Sequence, residues 1–95
     1  MKFSYDPDKR AVTLARRGLD FADAPRLFAG PQATLLDDRQ DYGEARYQTY
    51  GRIDGRLMLV VWTAREDGDG GEVRHIMSMR KCNDREQARF GPRLG

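Results

Sequence analysis

Arginine and serine side chains near the C-terminus are the groups of this chain best placed to do chemistry. Arg74, Ser78 and Arg80 stand at alternate positions of the segment 73–80, so a β-strand there would carry them on one face. The segment runs directly into N-D-R-E at 83–86, the pattern of a capping box that opens a helix. A guanidinium group can contact a phosphate through two parallel hydrogen bonds. Arginines fixed at the end of a sheet, beside a helix N-terminus, therefore indicate a site for a polyanion.

Two more predicted strands extend this arrangement. Residues 44–53 and 56–65 both alternate, and Asp54-Gly55 between them favours a tight hairpin turn. If the strands align, one sheet face collects the polar side chains of Glu44, Arg46, Thr63, Arg65, Ser78 and Arg80. The opposite face would carry, against the helices, Val60, Trp62, Met77 and Met79. The alternative is an ordinary solvated face, on which cross-strand charge pairs contribute roughly a few tenths of a kcal/mol each.

The elements that hold these strands are also marked in the sequence. Asp6-Pro7 predicts the start of a first helix and Gly18 its end, because Asp caps free amides, Pro suits the first turn and Gly suits the last. Asp20 predicts a second, short helix that Pro25 makes irregular. The remaining predictions are strands at 2–5, 32–37, 44–53, 56–65 and 72–80, and a last helix at 83–90.

This order predicts an α+β fold in a single domain that spans 1–95. An N-terminal strand and two helices precede an antiparallel β-meander, and a C-terminal helix follows it. The sheet and its helices would form a two-layer sandwich. A chain of 95 residues holds one modest core, so we expect the site to lie on an open sheet face.

Composition narrows the classes of function. The chain has 17 basic and 15 acidic residues, and 14 of the basic ones are Arg, which favours phosphate contacts or reflects a coding bias. Cys82 is the only cysteine, so no intrachain disulfide forms, which fits a reducing cytoplasm. Asp6 and Asp8 interrupt the start of the chain, so we expect no secretory signal. The apolar run Leu57–Trp62 is too short to cross a membrane.

Several chemistries are not indicated. His75 is the only histidine and no metal-ligand spacing accompanies it, so we expect no metal site. No phosphate-cradling glycine loop is present, and we expect no cofactor. His75 falls on the side of Met77 in a regular strand, so we interpret it as a half-buried structural histidine rather than a proton shuttle.

Short motifs follow one another along most of the chain. They are Phe3-x-Tyr5-Asp6-x-x-Lys9, Arg16-Arg17-Gly18, Phe21-x-x-Ala24, Arg39, Glu44-x-Arg46, Gly51, Leu57 to Thr63, Arg65, Ile76 to Arg80, and Arg85-Glu86. In this order they resemble the BrnT-type toxins of bacterial type II toxin–antitoxin systems. The family usually has Lys-His before the glycine, where this chain has Arg16-Arg17. The charge is retained there and the imidazole is not.

The resemblance implies a RelE-like fold and a metal-independent endoribonuclease that inhibits translation. RNA supplies its own nucleophile, the 2′-hydroxyl, so the protein need only move protons and stabilise charge on phosphorus. We expect Arg65 and Arg80 to hold the phosphate, with Arg46 in support. Glu44 is the expected general base, and the Ser78 hydroxyl is expected to contact a phosphate oxygen. The residues expected to bind RNA elsewhere are Arg16, Arg17, Arg74, Lys81 and Arg85.

The resemblance also implies partners. These are a BrnA-like antitoxin protein and an RNA substrate, with operator DNA reached only through the antitoxin complex, and no membrane. The basic segment 74–93 would suit an acidic or extended antitoxin segment. The alternative function is a non-catalytic RNA- or protein-binding module that uses the same basic sheet face.

Overall fold

Helices and strands combine in an α+β fold in the computed structural model, which describes residues 1–39, 41 and 43–94. The elements in chain order are β1 (Lys2–Tyr5), α1 (Pro7–Arg17), a short 3-10 helix (Phe21–Asp23), α2 (Ala24–Phe28), β2 (Gln32–Asp37), β3 (Arg46–Ile53), β4 (Arg56–Glu66), β5 (Glu72–Lys81) and α3 (Asp84–Phe90). This confirms the predicted α+β class. Among the helices of these residues, none has the length and apolar character needed to cross a membrane.

The helix ends follow the predicted signals. The Asp6 carboxylate accepts a hydrogen bond from the Asp8 N–H at 2.8 Å, and Gly18 ends α1 with φ of 68°, a conformation that glycine adopts at little cost. Pro25 lies in the first turn of α2, so the predicted irregular helix consists of a 3-10 turn followed by a short α-helix. At α3 the Asn83 side chain and Glu86 form the full capping box.

Five strands form one sheet in the order β1-β5-β4-β3-β2. Strands β2 to β5 are an antiparallel meander, and β1 lies parallel to β5 at the edge. The turn between β3 and β4 has positive φ at both Asp54 (52°) and Gly55 (78°), as a type I′ hairpin requires.

Strand β4 is the buried centre of the sheet, with every residue from 57 to 63 buried. On one side, which we call the α2 face, Met58, Val60 and Trp62 pack against buried residues of the 3-10 helix and α2. On the other side, the α3 face, Leu59 and Val61 pack in a second cluster with residues of α3. The central strand is therefore covered by apolar side chains on both faces, although α3 is short and covers only part of its face.

A β-bulge in β5 changes which side chains share a face. Val61 pairs with Ser78 but Trp62 pairs with Ile76, so Met77 is an extra residue in β5. Regular alternation had predicted Arg74 beside Ser78 and Arg80, and Met77 on the helix side. Both predictions are wrong: Arg74 lies on the α2 face, and Met77 packs against the cluster on the α3 face.

The bulge moves the histidine as well. His75 pairs with Thr63 on the α3 face, not with the side chains that face α2. A further difference concerns Glu44, which was predicted within a strand. Strand β3 begins at Arg46, so Glu44 lies in the preceding loop.

Candidate functional site

A line of polar side chains crosses the α3 face beyond the part that α3 covers. Ser4 pairs with His75, His75 pairs with Thr63, and alternation along β3 places Arg46 beside Thr63. Ser4 Oγ lies 2.7 Å from Nδ1 of His75, and the Thr63 hydroxyl donates to the backbone carbonyl of Ala45 at 2.7 Å. We call Ser4, His75, Thr63 and Arg46 the polar row. Four separate strands contribute to it, so the sheet fixes its geometry.

The polar row continues onto β2 through a buried carboxylate. Asp37 pairs with Arg46 across the strands and is only 5% exposed. The Arg39 guanidinium donates two hydrogen bonds to Asp37, at 2.7 and 2.8 Å, and lowers the pKa of that carboxyl to about 2. Asp37 therefore places a permanent negative charge next to Arg46, at one end of the polar row.

Arg65 and Glu44 stand over the middle of the polar row. Arg65 pairs with Val73, two positions beyond Thr63, so it is a diagonal neighbour of His75 at a Cα distance of about 7–8 Å. The Arg65 guanidinium is 3.7 Å from the Glu44 carboxylate, and both side chains are more than a third exposed. This pair is loose and accessible, so Arg65 remains able to contact an anionic ligand.

His75 is a titratable group in the polar row, and its neighbours shift its pKa. Burial lowers its pKa first, and the positive charges of Arg65 and Lys9 lower it further, while the charges of Glu44 and Asp6 oppose the shift. The imidazole is consequently neutral at pH 7. The charges of Lys9 and Asp6 show that the start of α1 borders the polar row.

Arg80 has a different environment. Its guanidinium donates two hydrogen bonds of 2.8 Å to the Glu86 carboxylate. Glu86 also accepts from the Asn83 backbone at 2.9 Å and from the Tyr50 hydroxyl at 3.2 Å. The Tyr50 ring stacks on buried Phe90 with centroids 4.0 Å apart. Arg80 is therefore part of the network that docks α3 on the sheet.

Register also separates Arg80 from Arg65. Arg80 pairs with Leu59, which lies six residues before Arg65 along β4. At roughly 3.3 Å per residue the two positions are about 20 Å apart. Arg46, Arg65 and Arg80 do share the α3 face, as predicted, but Arg65 and Arg80 do not reach one phosphate together.

The other predicted residues lie at varying distances from the row. Ser78 is half-buried on the α3 face beside Val61, one step closer to α3 than His75. Arg17 donates a hydrogen bond to the backbone carbonyl of Met79 at 2.8 Å. Met79 lies in the part of β5 that does not pair with β1. Arg16 is exposed on α1.

Three of the predicted RNA-binding residues point elsewhere. Arg74 lies over the rings of Phe28 and Trp62, 4.7 and 4.4 Å from their centroids, on the α2 face. Lys81 pairs with Met58 and so follows the same face at the other end of β5. Arg85 is exposed in the first turn of α3. The predicted set of phosphate-binding cations is therefore spread over the molecule rather than gathered in one site.

Sequence reasoning did not place His75, Ser4 and Lys9 beside Arg65. No local pattern marks the bulge that turns His75 onto the α3 face. Ser4 reaches His75 only because β1 pairs with β5 across 71 residues. Lys9 did carry a signal, since it belongs to the motif Phe3-x-Tyr5-Asp6-x-x-Lys9, but no role had been assigned to it.

Residues 5–86 match the model of a family described as the ribonuclease toxin, BrnT, of type II toxin–antitoxin systems. A search of curated proteins found none that matches the chain. The matched range contains His75 and Arg65 and extends from the end of β1 into the first turn of α3. This chain therefore belongs to the BrnT family of ribonuclease toxins, which act in type II systems with an antitoxin partner.

Proposed function

We propose that this toxin is a metal-independent endoribonuclease that inhibits translation by cutting RNA on its polar row. The observation that carries the proposal is a neutral imidazole, His75, placed diagonally beside the accessible guanidinium of Arg65. Proton transfer and charge stabilisation are the two tasks that cleavage by the RNA 2′-hydroxyl requires. Both are available here from side chains alone.

The proposed step begins at the imidazole. Ser4 engages Nδ1 of His75, so Nε2 takes the proton from the 2′-hydroxyl. The 2′-oxygen attacks phosphorus, and the bond from phosphorus to the 5′-oxygen breaks. The products are a 2′,3′-cyclic phosphate and a 5′-hydroxyl end. We assign the proton on the leaving 5′-oxygen to the Lys9 ammonium, and exchange with water restores both groups.

The cations hold the phosphate while charge builds on it. Arg65 contacts a non-bridging oxygen, and Arg46 supports it from the neighbouring strand. Glu44 was the base expected from sequence; we propose instead that it orients Arg65, because a neutral imidazole nearby is the better proton acceptor at pH 7. Ser78 is proposed to contact the RNA backbone on the side of the polar row that is nearer to α3. Arg80 positions α3 and does not contact the cleaved phosphate.

The family implies an antitoxin, and we propose its type and place of action. A BrnA-like antitoxin would cover the polar row and would bring operator DNA to the complex. RNA is the proposed substrate and the cytoplasm the proposed compartment. Arg16, Arg17, Arg74, Lys81 and Arg85 are proposed as secondary contacts for RNA or antitoxin, outside the polar row.

Cleavage in the presence of a chelator tests this proposal. The purified chain is incubated with a labelled RNA in excess EDTA, and initial rates are compared for the unaltered protein, His75→Gln, Arg65→Ala and Arg56→Ala. Arg56 is exposed at the opposite end of the strand that carries Arg65, so it is the matched control. We expect rates reduced about 10²–10³-fold for the first two variants and unchanged for the control.

Two results would contradict the proposal. RNA that stays intact but bound would favour a non-catalytic binding module. Cleavage that requires an added divalent cation would retain a ribonuclease but reject the metal-independent chemistry.

A further inference from the structure

An open apolar groove lies between α1 and β5, next to the polar row. Its lining residues are Asp8, Lys9, Val12, Thr13 and Met77, and its volume is about 340 Å³. Met77 is the extra residue of the bulge, two positions from His75. The groove therefore begins where the proposed reaction takes place.

The groove is apolar because α1 leaves its own side chains uncovered. No residue of α1 is buried, and Val12 keeps 49% of its surface exposed. The bulge directs Met77 toward the α3 face, where it packs only partly against the cluster around Val61. Apolar side chains therefore line the groove on both sides, Val12 from α1 and Met77 from β5.

Cations flank the part of α1 that lines this groove: Lys9 lines it together with the Asp8 carboxylate, and Arg16 lies on α1 beyond its other end. Lys9, Val12, Thr13 and Arg16 follow the spacing of one helix face, so Lys9 and Arg16 flank the apolar centre two turns, or about 10 Å, apart. The Lys9 charge is near enough to His75 to lower its pKa, and Arg16 is exposed. Proteins hold single-stranded nucleic acid by apolar contacts to the bases and by positive charges at the phosphates. An apolar surface flanked by two cations therefore suits one base and the phosphates on either side of it.

We propose that this groove holds the nucleobase next to the cleaved bond, with Val12 and Met77 against the two sides of the base and Lys9 and Arg16 on the adjoining phosphates. The inference rests on the proposed ribonuclease function and adds a specificity-determining element to it. A protein segment is the other conceivable occupant. The two cations favour RNA, because long basic side chains on either side of one apolar surface can contact the phosphates that adjoin a single base.

A double-perturbation experiment tests the groove. Cleavage of a short RNA is compared with cleavage of the same RNA that carries an abasic nucleotide beside the cut. Both substrates are used with the unaltered protein, with Val12→Glu and with Leu14→Glu. Leu14 is 44% exposed on the same helix and does not line the groove, so it matches Val12 in exposure and in the charge introduced.

We expect Val12→Glu to raise KM about tenfold for the intact RNA and to redistribute the cut sites, with kcat within about threefold. The abasic RNA should show a similar loss with the unaltered protein. The two losses should not add, because both remove the same contact. Leu14→Glu should behave as the unaltered protein on both substrates.

The failures are distinguishable. If the unaltered protein cuts RNA and Val12→Glu cuts it with the same KM and the same sites, the groove does not bind a base. If Val12→Glu abolishes binding of the cognate antitoxin while RNA kinetics stay unchanged, the groove is a protein-docking site and the inference is overturned. If the unaltered protein does not cut RNA at all, the proposed function fails and the groove assignment fails with it.

Discussion

Replacing Glu86 with Gln isolates the network that docks α3. The change keeps the shape of the side chain and one acceptor for the Asn83 cap, but removes the charge that receives both hydrogen bonds from Arg80. The Glu86 side chain is 14% exposed and that of Arg80 39% exposed, so the pair lies between a surface and a buried ion pair. Exposed pairs contribute about 0–1 kcal/mol, whereas breaking a buried pair costs about 3–5 kcal/mol. We therefore expect a loss of about 2 kcal/mol of unfolding free energy, or about 10 °C in Tm.

The pH dependence gives an independent check of the same magnitude. Hydrogen bonds from Arg80 in the first place, and from the Asn83 backbone and Tyr50 as well, lower the pKa of Glu86 from 4.5 to about 2 against the opposing effect of burial. This shift bounds their combined contribution at about 3 kcal/mol. Because the pKa is lower in the folded state, the unfolded chain binds more protons between these values. The stabilisation is therefore complete above pH 4.5 and is lost as pH falls toward 2.

Urea unfolding followed by circular dichroism measures both effects. The unaltered protein, Glu86→Gln and Glu44→Gln are compared at pH 7 and at pH 2. Glu44 is the matched control, since its contact with Arg65 is 3.7 Å long and exposed, and its loss should cost under about 0.5 kcal/mol. Equal stability of Glu86→Gln and Glu44→Gln at pH 7 would refute the reasoning. So would a difference between Glu86→Gln and the unaltered protein that is as large at pH 2 as at pH 7.

Three other predictions concern packing, the bulge and the imidazole. Gly51→Ala should lower the free energy of unfolding by about 1–3 kcal/mol, because the added Cβ would lie 2.8 Å from Leu27 Cγ. Gly30→Ala, with open space around the added Cβ, should change it by no more than about 0.5 kcal/mol. Equal urea midpoints for the two variants would contradict this. Arg74→Ala should lower the free energy of unfolding by about 1–2 kcal/mol, because the contacts of Arg74 with Phe28 and Trp62 are lost. The cleavage rate per folded molecule should stay unchanged. A rate loss as large as that of Arg65→Ala would mean that Arg74 takes part in cleavage. The value of kcat/KM should rise with pH, with the midpoint of the rise below the ordinary histidine pKa of 6.5, because burial, Arg65 and Lys9 lower the pKa of His75 while Glu44 and Asp6 only partly oppose them. A rise centred near pH 4, where ordinary carboxylates titrate, would assign the base to a carboxylate instead.

Local signals in the sequence were sufficient for the elements. Asp6-Pro7, Gly18 and Asp54-Gly55 each carry a conformational preference that few other residues share, so helix ends and the hairpin could be predicted from them. Alternation along β3 and β4 likewise placed Arg46, Thr63 and Arg65 on one face. Those side chains depend only on the period of a regular strand.

Long-range pairing and the bulge were not predictable in the same way. One inserted residue, Met77, reverses the face of everything before it in β5, and its side chain has no property that marks the insertion. His75 was therefore assigned to the wrong face and Arg74 to the site. The parallel pairing of β1 with β5 adds Ser4 through a contact that no local pattern encodes. Arg80 was placed on the correct face, but the capping box that engages Glu86 also determines what Arg80 contacts.

The chemical ends of the cleaved RNA test the central claim most directly. A short RNA is digested in EDTA by the unaltered protein and by His75→Gln, and the products are identified by mass spectrometry. Attack by the 2′-hydroxyl predicts 2′,3′-cyclic phosphate and 5′-hydroxyl ends from the unaltered protein and about 10²–10³-fold less of both from His75→Gln. Products with 5′-phosphate ends, or equal yields from the two proteins, would contradict the account.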